Sequence, residues 1–556
     1  MYPKKQLAQL VISACQFYNI DTVVISPGSR NAPLTIGFTN HPDVETYSIV
    51  DERCAAFFAM GIAQQKRKPV AIVCTSGSAL LNYYPAIAEA FYSKIPLLVI
   101  SADRPRYLID VGDGQAIRQE NVFANHILYS ANLLEDTNEL GRNAEMLSEA
   151  ISTAIQKKGP IHVNVPFEEP LYEVVDEIGE VIKDEVLKVS KEELTSTTSN
   201  INYEYFADIW NSAERKLILI GVNYPSDELQ SILSKYANDE SVLIMTETTS
   251  NLYGSNFVNN IDVLITPLNE KSFEALQPDV LITLGGMVVS KRIKQFLRKY
   301  QPKHHWHIDK LEKLDTYFCL SEFVKEVPEM FFLELINYKK KISSSYKEDW
   351  LEIENKRIDS HENFVKTISY SDLEVFNVLL KSIPNNCQLQ LSNSSVIRYT
   401  QLFKLNPTLR VFCNRGTSGI DGSTSTAIGA ALASKEQTVF ISGDISFYYD
   451  SNALWNSYVP SNFRIIIVNN SGGGIFKIIP GPQTTNALNY FETPHSLNAE
   501  YLAKTYGFEY ESVTNIKELE NKLSGFYSDS QKPKILEIFT PSSVNDSILK
   551  KYFKNL

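Results

Sequence analysis

Apolar runs of strand length alternate with longer stretches of helical periodicity along most of this chain. In the first third, Thr22–Ser26, Val70–Thr75, Leu97–Ser101 and Ile161–Val165 are the predicted strands, with helical patterns such as Lys4–Tyr18 and Ala79–Ser93 between them. That alternation predicts right-handed βαβ units and a parallel sheet. A charged, Ser/Thr-rich stretch from Ile178 to Asn202 breaks the pattern and reads as a linker. The pattern resumes with Lys216–Gly221, Ser241–Glu247, Val280–Gly285 and His304–Asp309, and a polar helical stretch, Glu334–Ile368, reads as a second connector. Strands predicted at Leu389–Ser392, Arg410–Cys413, Val439–Ser442, Arg464–Asn469 and Lys534–Phe539 complete a third unit. The expected organisation is therefore α/β, three doubly wound parallel-sheet domains at 1–180, 203–335 and 370–556. Such an arrangement favours a site between domains, but it does not name a function.

Composition narrows the classes. A chain of 556 residues is too long for one core, which agrees with three units. No apolar run approaches the length of a spanning helix, so membrane insertion is not expected. Gln6, Gln9 and Ser13 interrupt the apolar pattern after Lys4-Lys5, and a signal peptide is not expected either. Cys15, Cys54, Cys74, Cys319, Cys387 and Cys413 are scattered without a CxxC pair. They read as buried small hydrophobes in a reducing, cytoplasmic compartment. A formal charge of −12 argues against nucleic acid as a partner, so an anionic ligand needs a local cluster of cations.

Two places carry candidate chemistry. Gly443-Asp444 ends one predicted strand, and the next ends in Asn469-Asn470-Ser471-Gly472-Gly473. A carboxylate, an amide oxygen and a backbone carbonyl at Asp444, Asn470 and Gly472 are hard ligands suited to Mg²⁺ bridging a diphosphate. Either dipeptide alone is an ordinary turn. Together they resemble the metal–diphosphate motif of thiamine-diphosphate enzymes, with Ile445 where the general pattern has glycine. The second place is Asp51-Glu52-Arg53, between the predicted strand Thr46–Val50 and the Ala-rich helix Cys54–Gln64. Alone, Glu52 would be a carboxylate favoured by the helix dipole. Beside the first motif it resembles the glutamate that these enzymes set against N1′ of the aminopyrimidine. The order of the two motifs matches the decarboxylase and acetolactate-synthase branch, which implies cofactor domains meeting across the interface of a homodimer or dimer of dimers.

Further stretches resemble one family in that branch, the 2-succinyl-5-enolpyruvyl-6-hydroxy-3-cyclohexene-1-carboxylate synthases of menaquinone biosynthesis. They are SPGSRNAPL at 26–34, SADRP at 101–105, SKR at 290–292, NSSVIR at 393–398, NRGTSGIDG at 414–422 and GDIS at 443–446, and the likeness runs on to GPQ at 481–483. Ser471 departs from the family's third asparagine. The resemblance implies decarboxylation of 2-oxoglutarate and 1,4-addition of a succinyl-semialdehyde carbanion equivalent to isochorismate, with thiamine diphosphate and Mg²⁺, Mn²⁺ being an alternative metal. It implies substrate contacts from Ser29, Arg30, Arg104, Gln115, Lys291, Arg292, Ser394, Arg398 and Arg415. The resemblance also implies that Gln115, in GDGQAIRQ, lies near the reacting centre with a proton-handling or positioning role, the alternative being a loop amide that satisfies backbone groups. Implied cofactor contacts are Glu52, Ser76, Gly77, Ile420 under the thiazolium, Gly443, Asp444, Ile445, Ser446, Asn470, Gly472, Ile475 and Phe476. The dianionic substrates agree with the recurrence of arginines beside glycines and strand ends.

Rival readings are another thiamine-diphosphate 2-oxoacid decarboxylase or carboligase, such as an FAD-containing acetolactate-synthase type, and a non-catalytic regulatory paralogue. The Arg/Lys set counts against the first; Glu52, Asp444 and Asn470 count against the second. His304-His305-Trp306-His307 reads as structural, because alternating strand side chains cannot all face one ion. Ser76-Gly77-Ser78 lacks the context of a nucleophile elbow.

Overall fold

The computed structural model describes residues 1–189, 201–479 and 481–556. Three six-stranded sheets, each parallel throughout, organise the chain. The first contains β1 (Thr22–Ile25), β2 (Glu45–Ser48), β3 (Val70–Cys74), β4 (Leu97–Asp103), β5 (Ser130–Asn132) and β6 (Ile161–Pro166), in the order β2-β1-β3-β4-β6-β5. The second contains β7 (Lys216–Ile220), β8 (Val242–Thr246), β9 (Phe257–Val258), β10 (Val280–Leu284), β11 (His304–Ile308) and β12 (Glu322–Val324), ordered β9-β8-β7-β10-β11-β12. The third contains β13 (Gln388–Leu391), β14 (Arg410–Cys413), β15 (Thr438–Gly443), β16 (Arg464–Asn469), β17 (Glu509–Val513) and β18 (Lys534–Phe539), ordered β14-β13-β15-β16-β18-β17. The first and third sheets thus share one topology, and in each the strand order reverses beside its first strand, where α/β sheets open a crevice.

Alternate residues of one strand fall in different cores, as a sheet covered on both faces requires. Ala71 and Val73 of β3 join the core under the helices Gln6–Phe17 and Leu140–Lys157, while Val70, Ile72 and Cys74 face the other way. That second core also contains Phe440 of β15 and Ile465 and Ile467 of β16, so the first and third sheets bury one common interior. Two helices fill it, Glu52–Lys66 and Ser423–Leu432. Their backbones touch through glycine: a Cβ on Gly61 would stand 2.1 Å from Thr426 O, and one on Gly429 would stand 2.0 Å from Phe58 O. The middle sheet is tied to the third by Asn251, whose amide accepts from Val411 N–H (2.7 Å) and donates to Val411 O (2.9 Å), covering edge strand β14.

The structure departs from the expected elements where tertiary packing decides. The segment read as a linker starts with a helix, Glu180–Val189, because Ile178, Ile182 and Val186 find an apolar surface on the first unit. Its remainder, 190–200, lies outside the described residues. The second connector contains the helix Tyr346–Val365, which buries Tyr346 and Trp350 in the middle unit's core. Ala79–Ser93 is two helices, Ser78–Asn82 and Tyr84–Ser93, with Pro85 in the first turn of the second, where its missing N–H costs nothing. All six cysteines are free, and Cys319 is the one not buried. Among the described residues no helix is long and apolar enough to cross a membrane.

A side chain at either contact glycine must push two backbones apart. Gly61→Val and Gly429→Val are each expected to destabilise the protein by about 1–3 kcal/mol or more, the usual cost of overpacking, seen as a lower thermal midpoint. Gly525→Ala, where a Cβ meets nothing within 4 Å, serves as the control and should not lower it.

Candidate active site

The candidate residues sit at the carboxyl ends of strands in the first and third sheets. Asp444 follows β15 as the first residue of the helix Asp444–Tyr449, and Asn470 follows β16. The Asp444 carboxylate is buried and accepts from Ile445 N–H (2.7 Å) and Gly472 N–H (2.9 Å), with His495 Nε2 3.2 Å away. Burial raises its pKa, opposed by those two N–H groups and by His495. Asn470 donates through Nδ2 to Asp372 Oδ2 (2.9 Å), while its Oδ1 is buried with no hydrogen-bond partner. An orphaned amide oxygen beside a buried carboxylate is a donor set that fits a hard cation. The Gly472 carbonyl accepts only from Gly474 N–H (2.9 Å) among the described backbone bonds, which leaves it a lone pair. Ile420 is drawn to the same end because its carbonyl accepts from Ser446 Oγ (2.7 Å). Gly443, Ile445, Ile475 and Phe476 lie on the same strand end and the loop beyond β16, Phe476 stacking on Phe491 at 5.1 Å.

Glu52 occupies the first turn of its helix and accepts from Asn82 Nδ2 (3.1 Å). Its neighbours hold that turn against the third unit: Asp51 accepts from Asn452 Nδ2 (2.8 Å), and Arg53 donates to Tyr449 O (3.0 Å), the last residue of the Asp444 helix. After β3, Ser76 is buried with an unpartnered hydroxyl, and Gly77 turns with φ 92°. Its N–H donates to Gln119 Oε1 (2.9 Å), and a Cβ there would stand 3.3 Å from Gln115 O. Gln115 itself has φ 55°, a strained value for a non-glycine residue.

The predicted substrate cations form two groups in one chain. Arg30 is buried and donates to Phe167 O (2.9 Å) and Glu169 Oε1 (3.2 Å), and Arg104 donates to Gly114 O (2.7 Å). Ser29 lies on the exposed turn beside Arg30, lining a cleft of about 530 Å³ with Pro27, Tyr47 and Tyr458. The second group lies where the middle and third units meet. Arg415 donates from Nη1 to Asn393 Oδ1 (2.7 Å). Arg398, on the helix that starts beyond Ser394 (φ 68°), has a buried Nε without a partner. Burial, then repulsion from Arg415, lowers the Arg398 pKa. Burial and the charges of Arg415, Arg298 and Lys291 lower that of Lys294, Glu247 opposing. Arg292 lies over the Phe553 ring and acts on Asp262. Among the described residues, no hydrogen bond or ion pair of Arg30 or Arg104 reaches this second group, because the two groups belong to different sheets.

Several residues that hold the site were not anticipated from the sequence. Asp372 orients Asn470; Gln119 fixes Gly77 and joins Asn164 (2.9 Å); Glu247 accepts from Val289 N–H (2.6 Å) and Ser290 N–H (2.7 Å) at the start of the helix bearing Lys291. His495 and Lys294 complete this set. Only Lys294 had a local signal, three positions after Lys291 on one helix face. His305 Nε2 and His307 Nδ1 both lie 2.9 Å from Thr283 Oγ1 inside the middle unit, where burial lowers both pKa values, that of His305 to about 4.

Two paired sheets thus carry buried oxygen donors at one strand end and a helix-start glutamate at the other, and the comparisons identify the class. Residues 5–126 match the thiamine pyrophosphate enzyme N-terminal TPP-binding domain, 192–391 the middle domain, and 394–538 the C-terminal TPP-binding domain. The chain is 55% identical over 557 residues to the 2-succinyl-5-enolpyruvyl-6-hydroxy-3-cyclohexene-1-carboxylate synthase of Flavobacterium psychrophilum, covering 100% of both chains. Identity to the synthases so named is 54% in Flavobacterium johnsoniae, covering 100% of both chains, and 51% in Christiangramia forsetii, covering 99% of both. The chain is a thiamine-diphosphate-dependent enzyme. Within that class it belongs to the 2-succinyl-5-enolpyruvyl-6-hydroxy-3-cyclohexene-1-carboxylate synthase family.

The buried Glu247 predicts a pH effect on stability. Burial raises its pKa from 4.5 to about 7, so the folded protein keeps a proton that the unfolded chain releases. This group therefore costs stability progressively as pH rises from about 4.5 to 7, and no further above. Thermal midpoints of wild type and Glu247→Gln should diverge against the wild type across that window; a gap independent of pH would contradict it.

Proposed function

We propose that this chain joins 2-oxoglutarate to isochorismate, with loss of CO₂, at a site built from the strand ends of its first and third sheets. The observation that carries the reading is the unpartnered Asn470 oxygen beside buried Asp444, in a chain whose family carries out synthase chemistry on thiamine diphosphate. Asp444, Asn470 and the Gly472 carbonyl would hold Mg²⁺, or Mn²⁺, against the diphosphate. Gly443, Ile445, Ser446, Ile475 and Phe476 would line it, and Ile420 would support the thiazolium. The bound cofactor supplies the electron sink for decarboxylation and carbon–carbon bond formation. Glu52 would hydrogen-bond pyrimidine N1′ and hold the proton there, with Ser76 and Gly77 beside the ring. Gln115 would position the reacting centre.

Both substrates are dianions, so Arg398, Arg415, Lys291 and Arg292, with Ser394, would bind carboxylates from one side, and Arg30, Arg104 and Ser29 from the other. Since one chain holds these cations in two groups, the reading includes a homodimer or dimer of dimers that brings them together. Exposed Val50 and Leu81 flanking the Glu52 turn, and exposed Tyr449 and Trp455 beyond Asp444, support a buried contact there. We divide the chain into pyrimidine-binding (1–180), central (203–335) and diphosphate-binding (370–556) domains, the helix Glu180–Val189 extending the first. A cytoplasmic location fits the free cysteines.

The test is an assay with 2-oxoglutarate, isochorismate, thiamine diphosphate and Mg²⁺, following product by mass; pyruvate in place of 2-oxoglutarate should yield little. Glu52→Gln should lower kcat by about 10²–10⁴, the range for a general acid–base group, with a much smaller change in cofactor half-saturation. Near-wild-type turnover in that variant would remove Glu52 from its role.

A further inference from the structure

Glu89 is a buried carboxylate that forms no ion pair among the described residues. It lies on the helix Tyr84–Ser93 of the first unit, yet three of its four donors stand in the third. Its Oε1 accepts from Gly416 N–H (2.6 Å) and Ser93 Oγ (2.7 Å), and its Oε2 from Thr417 N–H (2.7 Å) and Thr417 Oγ1 (2.8 Å). Four donors compensate the lost hydration of a buried charge, and two of them are successive backbone N–H groups, an anion-binding arrangement. The fit leaves no slack, since a Cβ on Gly416 would stand 2.5 Å from Glu89 O.

The loop so gripped begins at Arg415. On its other side the loop is braced by Asn393, which accepts from Arg415 Nη1 (2.7 Å) and donates to Asn414 O (2.7 Å) and Gly419 O (2.6 Å). Ser418 is held at φ 63° between them. Arg415 therefore has its backbone set by the first unit and its guanidinium set by the third.

We propose that Glu89 is a positioning residue for substrate binding, a carboxylate strap through which the first unit sets the place of the Arg415 guanidinium. The proposal rests on the substrate role given to Arg415 above. In Glu89→Gln one oxygen becomes an N–H donor facing the donors of Gly416 or Thr417, which releases half of the grip. KM for the substrate that Arg415→Ala weakens should rise about tenfold or more, as for loss of hydrogen bonds to a charged group. Half-saturation by thiamine diphosphate and Mg²⁺ should stay within about threefold, since the residues that Glu89 grips, Gly416 and Thr417, are not among those that would hold either one, and Ile420 keeps its own bond to Ser446. Thr417→Val, which removes only the hydroxyl donor, should shift the same KM in the same direction by less.

The deciding experiment is a double-mutant cycle on substrate KM. Glu89→Gln combined with Arg415→Ala should be no worse than Arg415→Ala alone, because a misplaced guanidinium and an absent one are equivalent. Fold-effects that multiply would overturn the strap while leaving the role of Arg415 intact. A lower thermal midpoint with unchanged KM in Glu89→Gln would also overturn it, reducing Glu89 to a structural contact. Unchanged KM for both substrates in Arg415→Ala would remove the substrate role of Arg415 and the strap together. Should Glu89→Gln fail to fold, Thr417→Val enters the same cycle with the same outcomes.

Discussion

The close approach of the helices Glu52–Lys66 and Ser423–Leu432 is the constraint on which the rest of the architecture depends. Glycines at 61 and 429 let two backbones meet with nothing between them, and the phenylalanines and alanines around that point form one interior for two sheets. Each helix also starts at a candidate site. Glu52 opens the first, and Ile420 lies three positions before Ser423, which opens the second. The spacing of two chemical groups some 370 residues apart in sequence is therefore governed by a contact that has no polar chemistry (420 − 52 = 368).

Polar contacts then fix orientation within that spacing. Asp51, Arg53 and Cys54 reach Asn452, Tyr449 and Asp450, so the Glu52 turn is bonded to the end of the Asp444 helix and the segment that follows it. Glu89 performs a similar task two helices further on, at the loop carrying Arg415. Buried carboxylates with backbone donors recur at each joint: Glu247 at the middle unit, Glu89 at the first, Asp450 at the third, where it accepts from Ser425 N–H (2.7 Å). A desolvated charge tolerates little displacement of its donors, because each lost hydrogen bond leaves an unpaid desolvation cost. Such groups suit junctions that must not drift.

This division explains what was legible in the sequence. The interior strands were visible as apolar runs, and Asp444, Asn470 and Glu52 as residues at strand ends with distinctive neighbours. Edge strands β5, β12 and β17 were not, because Ser130–Asn132, Glu322–Val324 and Glu509–Val513 are short or polar and pair only with one neighbour. The residues that orient the site were invisible for another reason. Asp372 stands 98 positions from Asn470, and Glu89 stands 327 from Gly416, so no local pattern connects them. Strain was hidden as well: Gln115, Ser394, Ser418 and Ser471 adopt positive φ without being glycine, and each lies in or beside a motif assigned to ligand binding. Backbone strain at such places persists only when surrounding contacts over-determine it.

The cation group between the middle and third units follows a related logic. In a protein of net charge −12, burial and then the nearby charge of Arg415 depress the proton affinity of Arg398, and burial with the charges of Arg415, Arg298 and Lys291 depresses that of Lys294. Glu247 and Asp262 are the acidic groups that act on them, yet Glu247 spends its hydrogen bonds on backbone N–H groups, and Asp262 bonds to the Ser290 hydroxyl. Neither carboxylate forms an ion pair with Arg398 or Arg415 among the described residues. The two carboxylates temper the field of the group but, among the described residues, leave both guanidinium groups without a carboxylate hydrogen-bonded to them, which in the proposed site would let an anion pair with them directly. An arginine already satisfied by a carboxylate would have to give up that partner first, which is the situation of Arg30 with Glu169 and of Arg104 with Asp113. In the proposed site the Arg398–Arg415 side would receive an anion without first giving up a carboxylate, whereas the Arg30–Arg104 side would have to exchange partners.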